Sequence, residues 1–378
     1  MLRILHVITG LGRGGAEAVL SRVVAATQAD FRHVVVALRD RGHYAPILEA
    51  QGIRVHALGM NYGMSIPAKV KQLASIMRDE RPDIVQTWMY HADLIGGAAA
   101  RLASVRPVLW GIRNTNLSAL AIRRSTRIIA WLGARLSSFV PDAIVCNSHE
   151  SARVHAAFGY NSQLMRVIPN GYDVTCFRPN TTLRESTRAA LGIAREHVLL
   201  GMVARWDPQK DHANLLAAIG NVARREPDVR LLLVGDGMER PNLSLMRLVS
   251  DAGLDDRVIL AGPRNDIPAI MNALDLHVLS SLGESFPNVV AEAMACGTPC
   301  ATTDVGDAKL IVGETGWVAP PRDAESLAQA VGRAIAAIRH EGRAALGARA
   351  RARIVENFEI SRMTAAYAEL WRTSVRAT

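Results

Sequence analysis

Val198-Leu-Leu-Gly-Met-Val203 runs straight into Ala204-Arg-Trp-Asp-Pro-Gln-Lys-Asp211, and a helix-period segment follows at 211–225. A short apolar run, then turn formers, then an apolar pattern of period 3.6 marks one strand–loop–helix unit. The unit repeats downstream, with strands expected at Val229–Val234, Val258–Leu260 and Leu276–Leu279 and helices at 241–252, 266–273 and 287–296. It also repeats upstream. There, strands at Leu2–Ile8, His33–Leu38, Ile53–Ala57, Asp83–Thr87, Val108–Gly111 and Ala143–Cys146 alternate with helices at Ala16–Gln28, Ala68–Glu80, Ala92–Ala103 and Leu117–Ser138. Such alternation implies α/β architecture, with parallel sheets covered by helices on both faces. The rhythm pauses at Pro169-Asn-Gly-Tyr-Asp173 and Phe177-Arg-Pro-Asn180, and these turn formers place a domain boundary close to 180. Two doubly wound domains in tandem are therefore expected, 1–180 and 181–357. Their ligands should lie beyond the carboxyl ends of the strands, in a cleft between the domains. In the helical tail, Phe358, Met363, Tyr367, Leu370 and Trp371 suit a packed face.

The composition is that of a folded protein, with 49% apolar and 21% charged residues in 378. Its net charge of +9 is lopsided. Residues 1–178 carry 21 Lys and Arg against 11 Asp and Glu, whereas 179–378 carry 23 against 24. The extreme is 101–140, with seven arginines and no acidic residue. That stretch reads either as a solvated helix face or as a surface for anionic lipid. Leu117 to Val140 is broken by arginines, so it suits lying on a membrane but not crossing one. No run of 18 apolar residues predicts a transmembrane helix, and Ile4 to Ile8 is too short for a signal peptide. The expected location is the cytoplasm, peripheral to the inner membrane face. Cys146, Cys176, Cys296 and Cys300 form no CxxC pair, and the last two read as small packing residues.

The first strand leads into Gly10-Leu-Gly-Arg-Gly-Gly-Ala-Glu17. Glycines between a strand and a helix let backbone approach a phosphate at the helix N-terminus. Gly10, Gly12 and Gly15 also fit G-x-G-x-x-G, so a nicotinamide-cofactor domain is a rival reading. It needs an acidic residue ending the second strand, and Asp40, between two arginines, is the one candidate. A tight turn with no ligand is the plainer alternative.

The second half carries more chemistry. Arg205 ends a strand and Lys210 precedes a helix, so the two cations suit a diphosphate. Alternatively they are unrelated surface charges. Further on stands Ser281-Leu-Gly-Glu284-Ser-Phe-Pro-Asn-Val-Val-Ala-Glu292-Ala-Met-Ala-Cys-Gly297. Pro287 suits the first helical position and Gly297 the residue past the last. Free N–H groups around Ser285, Phe286, Asn288 and Val289 would face an anion. Carboxylates at Glu284 and Glu292 would flank it, one gripping a transferred sugar and the other a nucleotide ribose.

Arg205 and Lys210, then Gly235-Asp-Gly237, then Glu284 and Glu292 with seven residues between them, resemble the retaining glycosyltransferases of family 4. Gly14-Gly15-Ala16-Glu17 and Asn170-Gly-Tyr-Asp173 match that family's N-terminal loop and hinge. The resemblance covers nearly the whole chain. It implies the GT-B fold, with two Rossmann-like domains and a last helix, 358–378, crossing back onto the first. It makes 1–180 the acceptor domain and 181–357 the nucleotide-sugar domain. Arg205 and Lys210 would hold the donor diphosphate, Glu284 the donor sugar and Glu292 the ribose. Gly14 and Gly15 would line the donor site, and Arg264 would lie by the base. Many members carry a histidine after the fifth strand. Here Arg113 stands about there, followed by Asn114, while His91 follows the fourth strand. His91, Arg113, Asn114 and Glu17 are thus the acceptor-side candidates. His91 is either structural or in contact with substrate, and Arg113 suits a phosphate on the acceptor.

The chain has no Asp-x-Asp and no His/Cys cluster at metal-ligand spacing, so neither a metal nor a cofactor is expected. The expected reaction is transfer with retention from a UDP- or GDP-sugar to a lipid-linked or glycan acceptor. The rivals are a sugar-nucleotide epimerase of the same fold, a nicotinamide-dependent dehydrogenase, and a non-enzymatic membrane or nucleic-acid binder. The last lacks regularly spaced aromatics, so no nucleic-acid partner is expected.

Overall fold

The computed structural model describes residues 1–60, 66–115, 117 and 124–376. The chain forms two units. One is Met1–Gly171 with the chain from Ser361 onward, and the other is Tyr172–Ile360.

The first unit holds strands β1 (Arg3–Ile8), β2 (Arg32–Ala37), β3 (Arg54–Ala57), β4 (Ile84–Trp88), β5 (Val108–Ile112), β6 (Ala143–Cys146) and β7 (Met165–Val167). They are parallel, in the order β3-β2-β1-β4-β5-β6-β7. The second unit holds β8 (Val198–Val203), β9 (Val229–Val234), β10 (Val258–Leu260), β11 (Leu276–Leu279), β12 (Cys300–Thr303) and β13 (Trp317–Ala319), parallel in the order β10-β9-β8-β11-β12-β13. Each is a Rossmann-like sheet, and the central strands are buried on both faces, which is why they read as continuous apolar runs.

Three strands, β7, β12 and β13, are absent from the sequence expectation. β7 and β13 are three-residue strands at the two sheet edges, too short to show a period. β12 is Cys-Ala-Thr-Thr, buried but poor in large apolar groups. Cys296 and Cys300 are both buried, and burial holds their thiols above the ordinary range. Of the expected Leu117–Ser138 helix, Arg124–Leu136 is seen, and 118–123 lie outside the described residues.

The unit limits differ from 180 and 358. The chain changes unit at Gly171–Tyr172 because Tyr172 already belongs to the second. Tyr172 exchanges backbone bonds with Phe358 and Ile360, and its hydroxyl donates to Asn288 Oδ1 at 2.7 Å. Arg351 then donates to the carbonyls of Phe177 and Val174 at 2.9 and 3.0 Å, tying down the turn cluster. At the other end Phe358 closes the helix Arg343–Phe358 and packs its ring on Phe286. The last helix is Ile360–Arg376. Its Met363, Tyr367 and Trp371 are buried in the first unit, while Leu370 is half-buried.

That helix seals a polar chain inside the first unit. An indole N–H only donates, so Trp88 Nε1 gives its proton to His6 Nδ1 at 3.2 Å. His6 must then carry its own proton on Nε2 and donate to His33 Nδ1 at 3.0 Å. His33 in turn donates from Nε2 to Thr27 Oγ1 at 3.0 Å, and Thr27 donates to the Val23 carbonyl at 2.6 Å. Trp371 packs edge-on against both imidazoles and Phe31. Every proton in the chain is assigned, so a second one on either ring would set two N–H groups against each other. Burial pushes His33 down to about 4, and burial with the neighbouring His33 pushes His6 well below its ordinary value. The unfolded chain takes up these protons near 6.5, before the folded one does. The stabilisation is therefore complete above pH 6.5 and is lost as pH falls toward 4. Urea unfolding at descending pH should show a loss on the order of 1–3 kcal/mol from this pair, and His33→Gln should flatten the slope.

Candidate functional site

In the second unit β8 and β11 are neighbours, so the loops leaving their carboxyl ends meet. The β8 loop turns at Pro208–Lys210, where Asp207 Oδ1 accepts from the Gln209 N–H at 2.9 Å. Asp211 then takes a left-handed conformation, φ 48°, and caps the next helix through Asn214. The β11 loop is stitched to this turn at two points. Ser280 Oγ donates to the Lys210 carbonyl at 2.8 Å, and the Leu282 N–H donates to the Gln209 carbonyl at 2.7 Å. Lys210 Nζ consequently reaches Glu284 Oε1 at 2.5 Å, and Ser281 Oγ donates to the same oxygen at 2.7 Å. Both members of the ion pair are largely buried, with side-chain exposures of 20% and 15%.

Arg205 does not join that pair. It is exposed and lies on Asp207 Oδ2 at 2.7 Å. Burial alone would raise the Asp207 carboxyl, but the Gln209 N–H, Arg205 and Lys210 together hold it below the usual range. Trp206 tilts over His212, whose imidazole is pushed down to about 4 by burial and then by Lys210. Gly235 and Gly237 are required here, because a Cβ on either would collide with the Ala204–Trp206 backbone or the Trp206 side chain.

Pro287 flanks the next helix in extended conformation and is not its first residue; the helix is Asn288–Ala295. Phe286 is buried between Tyr172 and Phe358, and Val289 packs half-buried on the same core. These contacts fix the peptide groups before the helix. Asn288 takes the Tyr172 hydroxyl, and the Ser285 carbonyl takes the Asp307 N–H at 3.0 Å. Glu292 is buried within the helix. Arg264 grips Asp266 through two bonds of 2.8 and 2.6 Å. The cluster thus unites Lys210, Glu284, Ser281 and the Ser285–Asn288 segment, with Arg205 at its rim. Ser281, Asp207 and Gly306 were not singled out from the sequence. Gly306 sits at φ 55° against the carbonyls of Glu284 and Ser285, a proximity that no spacing in the sequence reveals.

The acceptor-side candidates lie in the first unit, beyond the carboxyl ends of β1, β4 and β5. Gly14 flanks the helix Gly15–Thr27 in extended conformation. A Cβ on Gly14 would overlap Glu17 Oε2, so the Glu17 carboxyl folds back over this helix start. Burial raises Glu17, while its own backbone N–H and Arg113 oppose the shift. His91 is half-buried in the first turn of the helix Tyr90–Leu102 and is held below its ordinary value by burial and by Arg39. Its neighbour Asp93 is fully enclosed, takes bonds from Thr87 at 2.5 Å and the Gly111 N–H at 3.2 Å, and is pushed by burial up to about 8. The Asn114 carbonyl accepts from Ser151 Oγ at 3.1 Å. Among the described residues no three His, Cys, Asp or Glu side chains are grouped to hold a metal ion.

Comparison with known proteins defines the class. Residues 13–175 match the family described as Glycosyltransferase Family 4, and residues 197–337 match the group described as Glycosyl transferases group 1. The chain belongs to glycosyltransferase family 4 and has the GT-B fold. It is 29% identical over 64% of its length to a UDP-Gal:alpha-D-GlcNAc-diphosphoundecaprenol alpha-1,3-galactosyltransferase of Escherichia coli, spanning 62% of that relative. It is also 29% identical over 94% of its length to the lipopolysaccharide core biosynthesis glycosyltransferase LpsE of Rhizobium meliloti, spanning 95% of that protein. The crystal structure of Anabaena HepE in complex with UDP superposes with a TM-score of 0.85 at 25% identity, over 98% of this chain and 100% of that one.

Gly306→Ala and Gly192→Ala separate conformational cost from loop displacement. Both positions have positive φ, but a Cβ at 192 meets nothing within 4 Å, whereas at 306 it strikes the Glu284 and Ser285 carbonyls. Urea unfolding should show about 1 kcal/mol lost at 192 and about 2–4 at 306.

Proposed function

We propose that this protein transfers a hexose, with retention, from a UDP- or GDP-sugar to a lipid-linked or glycan acceptor in cell-surface polysaccharide synthesis. The observation that carries the reading is the Lys210–Glu284–Ser281 cluster beside the start of the helix Asn288–Ala295. A donor diphosphate would compete for Lys210 and draw Arg205 from Asp207, and the N–H groups before Val289 would add their partial charge. With Lys210 drawn to the phosphate, Glu284 keeps the Ser281 hydroxyl as a donor and has acceptor capacity suited to a hydroxyl of the transferred sugar. Negative charge on the departing nucleoside diphosphate is met by the two cations and these backbone groups, and no metal is invoked. The leaving phosphate takes the acceptor proton, so no strong protein base is needed. The UDP held by HepE and the diphosphoundecaprenol-linked acceptor named for the Escherichia coli relative support the donor and acceptor classes.

With donor and acceptor supplied, Arg205→Ala, Lys210→Ala and Glu284→Gln should each lower kcat/KM by about 100-fold or more, with melting unchanged in Arg205→Ala and lowered but still cooperative in the two variants that break the enclosed pair. Near-normal transfer by the folded variants would overturn the assignment.

We further propose that the acceptor lies at the inner face of a membrane. The helix Arg124–Leu136 supports this because its amphipathicity is inverted. Ala130, Gly133 and Ala134 face inward, while Ile128, Trp131, Leu132 and Leu136 are exposed, with Phe139 beyond at 73%. Arg135 lies over the Trp131 ring at 5.3 Å. Bulky apolar groups among arginines suit an anionic interface. No helix among the described residues is long and apolar enough to cross a membrane. Co-sedimentation with anionic vesicles should fall at least about threefold in Ile128→Ser/Trp131→Ser and with high salt. Indifference to both would remove the membrane contact.

A further inference from the structure

Arg113 is held rigidly but its charge is uncommitted. Its guanidinium lies over the Trp88 ring, 5.3 Å from the centroid. One N–H of Nη1 reaches the Tyr367 hydroxyl at 3.4 Å, and one of Nη2 donates to Asn170 Oδ1. A guanidinium has five N–H donors, so two bonds leave three, the Nε–H among them. All these partners are neutral. Among the described residues no carboxylate lies within ion-pair distance of Arg113; Glu17 acts on it only from farther off. Elsewhere in the chain most arginines that are fixed sit on carboxylates or helix-end carbonyls, as Arg264, Arg188 and Arg339 do. His91 and Arg39, also at this end of the sheet, lie close enough to each other to interact.

We propose that Arg113 is the receptor for a phosphate-class anion carried by the acceptor, with Tyr367 and Asn170 as positioning residues. This rests on the acceptor-side reading of the first unit. A π face beneath, two neutral anchors at the sides and open donors form a fork suited to two oxygens of one phosphate. Tyr367 comes from the last helix and Asn170 from the end of the first unit's main segment, so both chain segments of that unit set the direction of the fork. Glu17 restricts the same space to ligands that carry the anion where Arg113 can meet it.

The test uses the full chain with Arg205→Ala/Lys210→Ala, which silences the cations of the second unit, and inorganic pyrophosphate as probe in isothermal titration. A remaining site is expected. Its affinity should fall at least about tenfold with added Arg113→Ala, and less with Arg113→Lys or Tyr367→Phe, which keep the charge but lose the fork or its anchor. Should Arg113→Ala fail to fold, Arg113→Lys carries the comparison. No binding by the double variant, or binding indifferent to Arg113, overturns the proposal. A kinetic arm distinguishes free phosphate from the acceptor's own. With Arg205 and Lys210 intact, Arg113→Lys should raise KM for a glycosyl diphosphate acceptor but not for the same glycan without it. An equal effect on both overturns the assignment to the acceptor. The binding arm reads no transfer, so its failure and that of the glycosyltransferase reading are separate results.

Discussion

The hydroxyl of Ser280 donates to the main-chain carbonyls of Lys210 and Asp211, and the candidate site of the second unit depends on that junction. It joins the exit of one central strand to the exit of its neighbour. Parallel strands point their carboxyl ends the same way, so loops from adjacent strands are neighbours without any long-range design. The junction turns neighbours into one rigid body. Lys210 then has a single direction, toward Glu284, and the Leu282 bond to Gln209 holds that direction from the other side. A cation and a carboxylate this close and this enclosed are stable only as a pair. A ligand that takes one must provide for the other, and a molecule with a phosphate next to polyol hydroxyls does both.

The first unit solves a similar problem with aromatic groups. Trp88 ends the central strand β4 and is used on several sides. Its N–H orders the buried imidazoles, its ring carries Arg113, and Tyr367 stacks on it at 5.9 Å. The residue after it, Met89, adopts φ 74° and donates to the Gly111 carbonyl at 2.7 Å, which ties the start of the loop after β4 to strand β5. The polar interior is thus continuous with the surface where His91 and Arg113 stand.

Much of the fold was legible because a doubly wound sheet repeats one local pattern, and runs such as Val229–Val234 admit one reading. β7, β12 and β13 were missed for the complementary reason, since three or four residues at or near an edge carry no period. The donor-side residues were legible as a set of types in order, but not as contacts. Arg205 and Lys210 read as a pair of cations, yet one lies on Asp207 and the other on Glu284. Spacing along a chain cannot show which of two nearby carboxylates a lysine meets. Phe286, grouped with the anion-facing residues, is a core ring whose role is to hold its neighbours still. The polar line from Trp88 through two imidazoles to Thr27 was invisible, because its members come from four separate elements. The boundary read from turn formers near 180 differs from the change of unit at Gly171–Tyr172, because turn formers mark where the chain bends and not which unit the bend is fastened to.

The first unit is discontinuous in the chain: its seven described strands are complete by Val167, but the helix bearing Tyr367 and Trp371 is made only after the second unit. On the ribosome the second unit therefore has all of its residues before the first does. Until Trp371 emerges, the nascent first unit presents Phe31, His33 and Trp88 without their cover. The order of synthesis is thus not the order of completion, and the unit translated first is the last to close. A chain cut short by a few dozen residues keeps every strand of both sheets yet lacks the piece that closes the first.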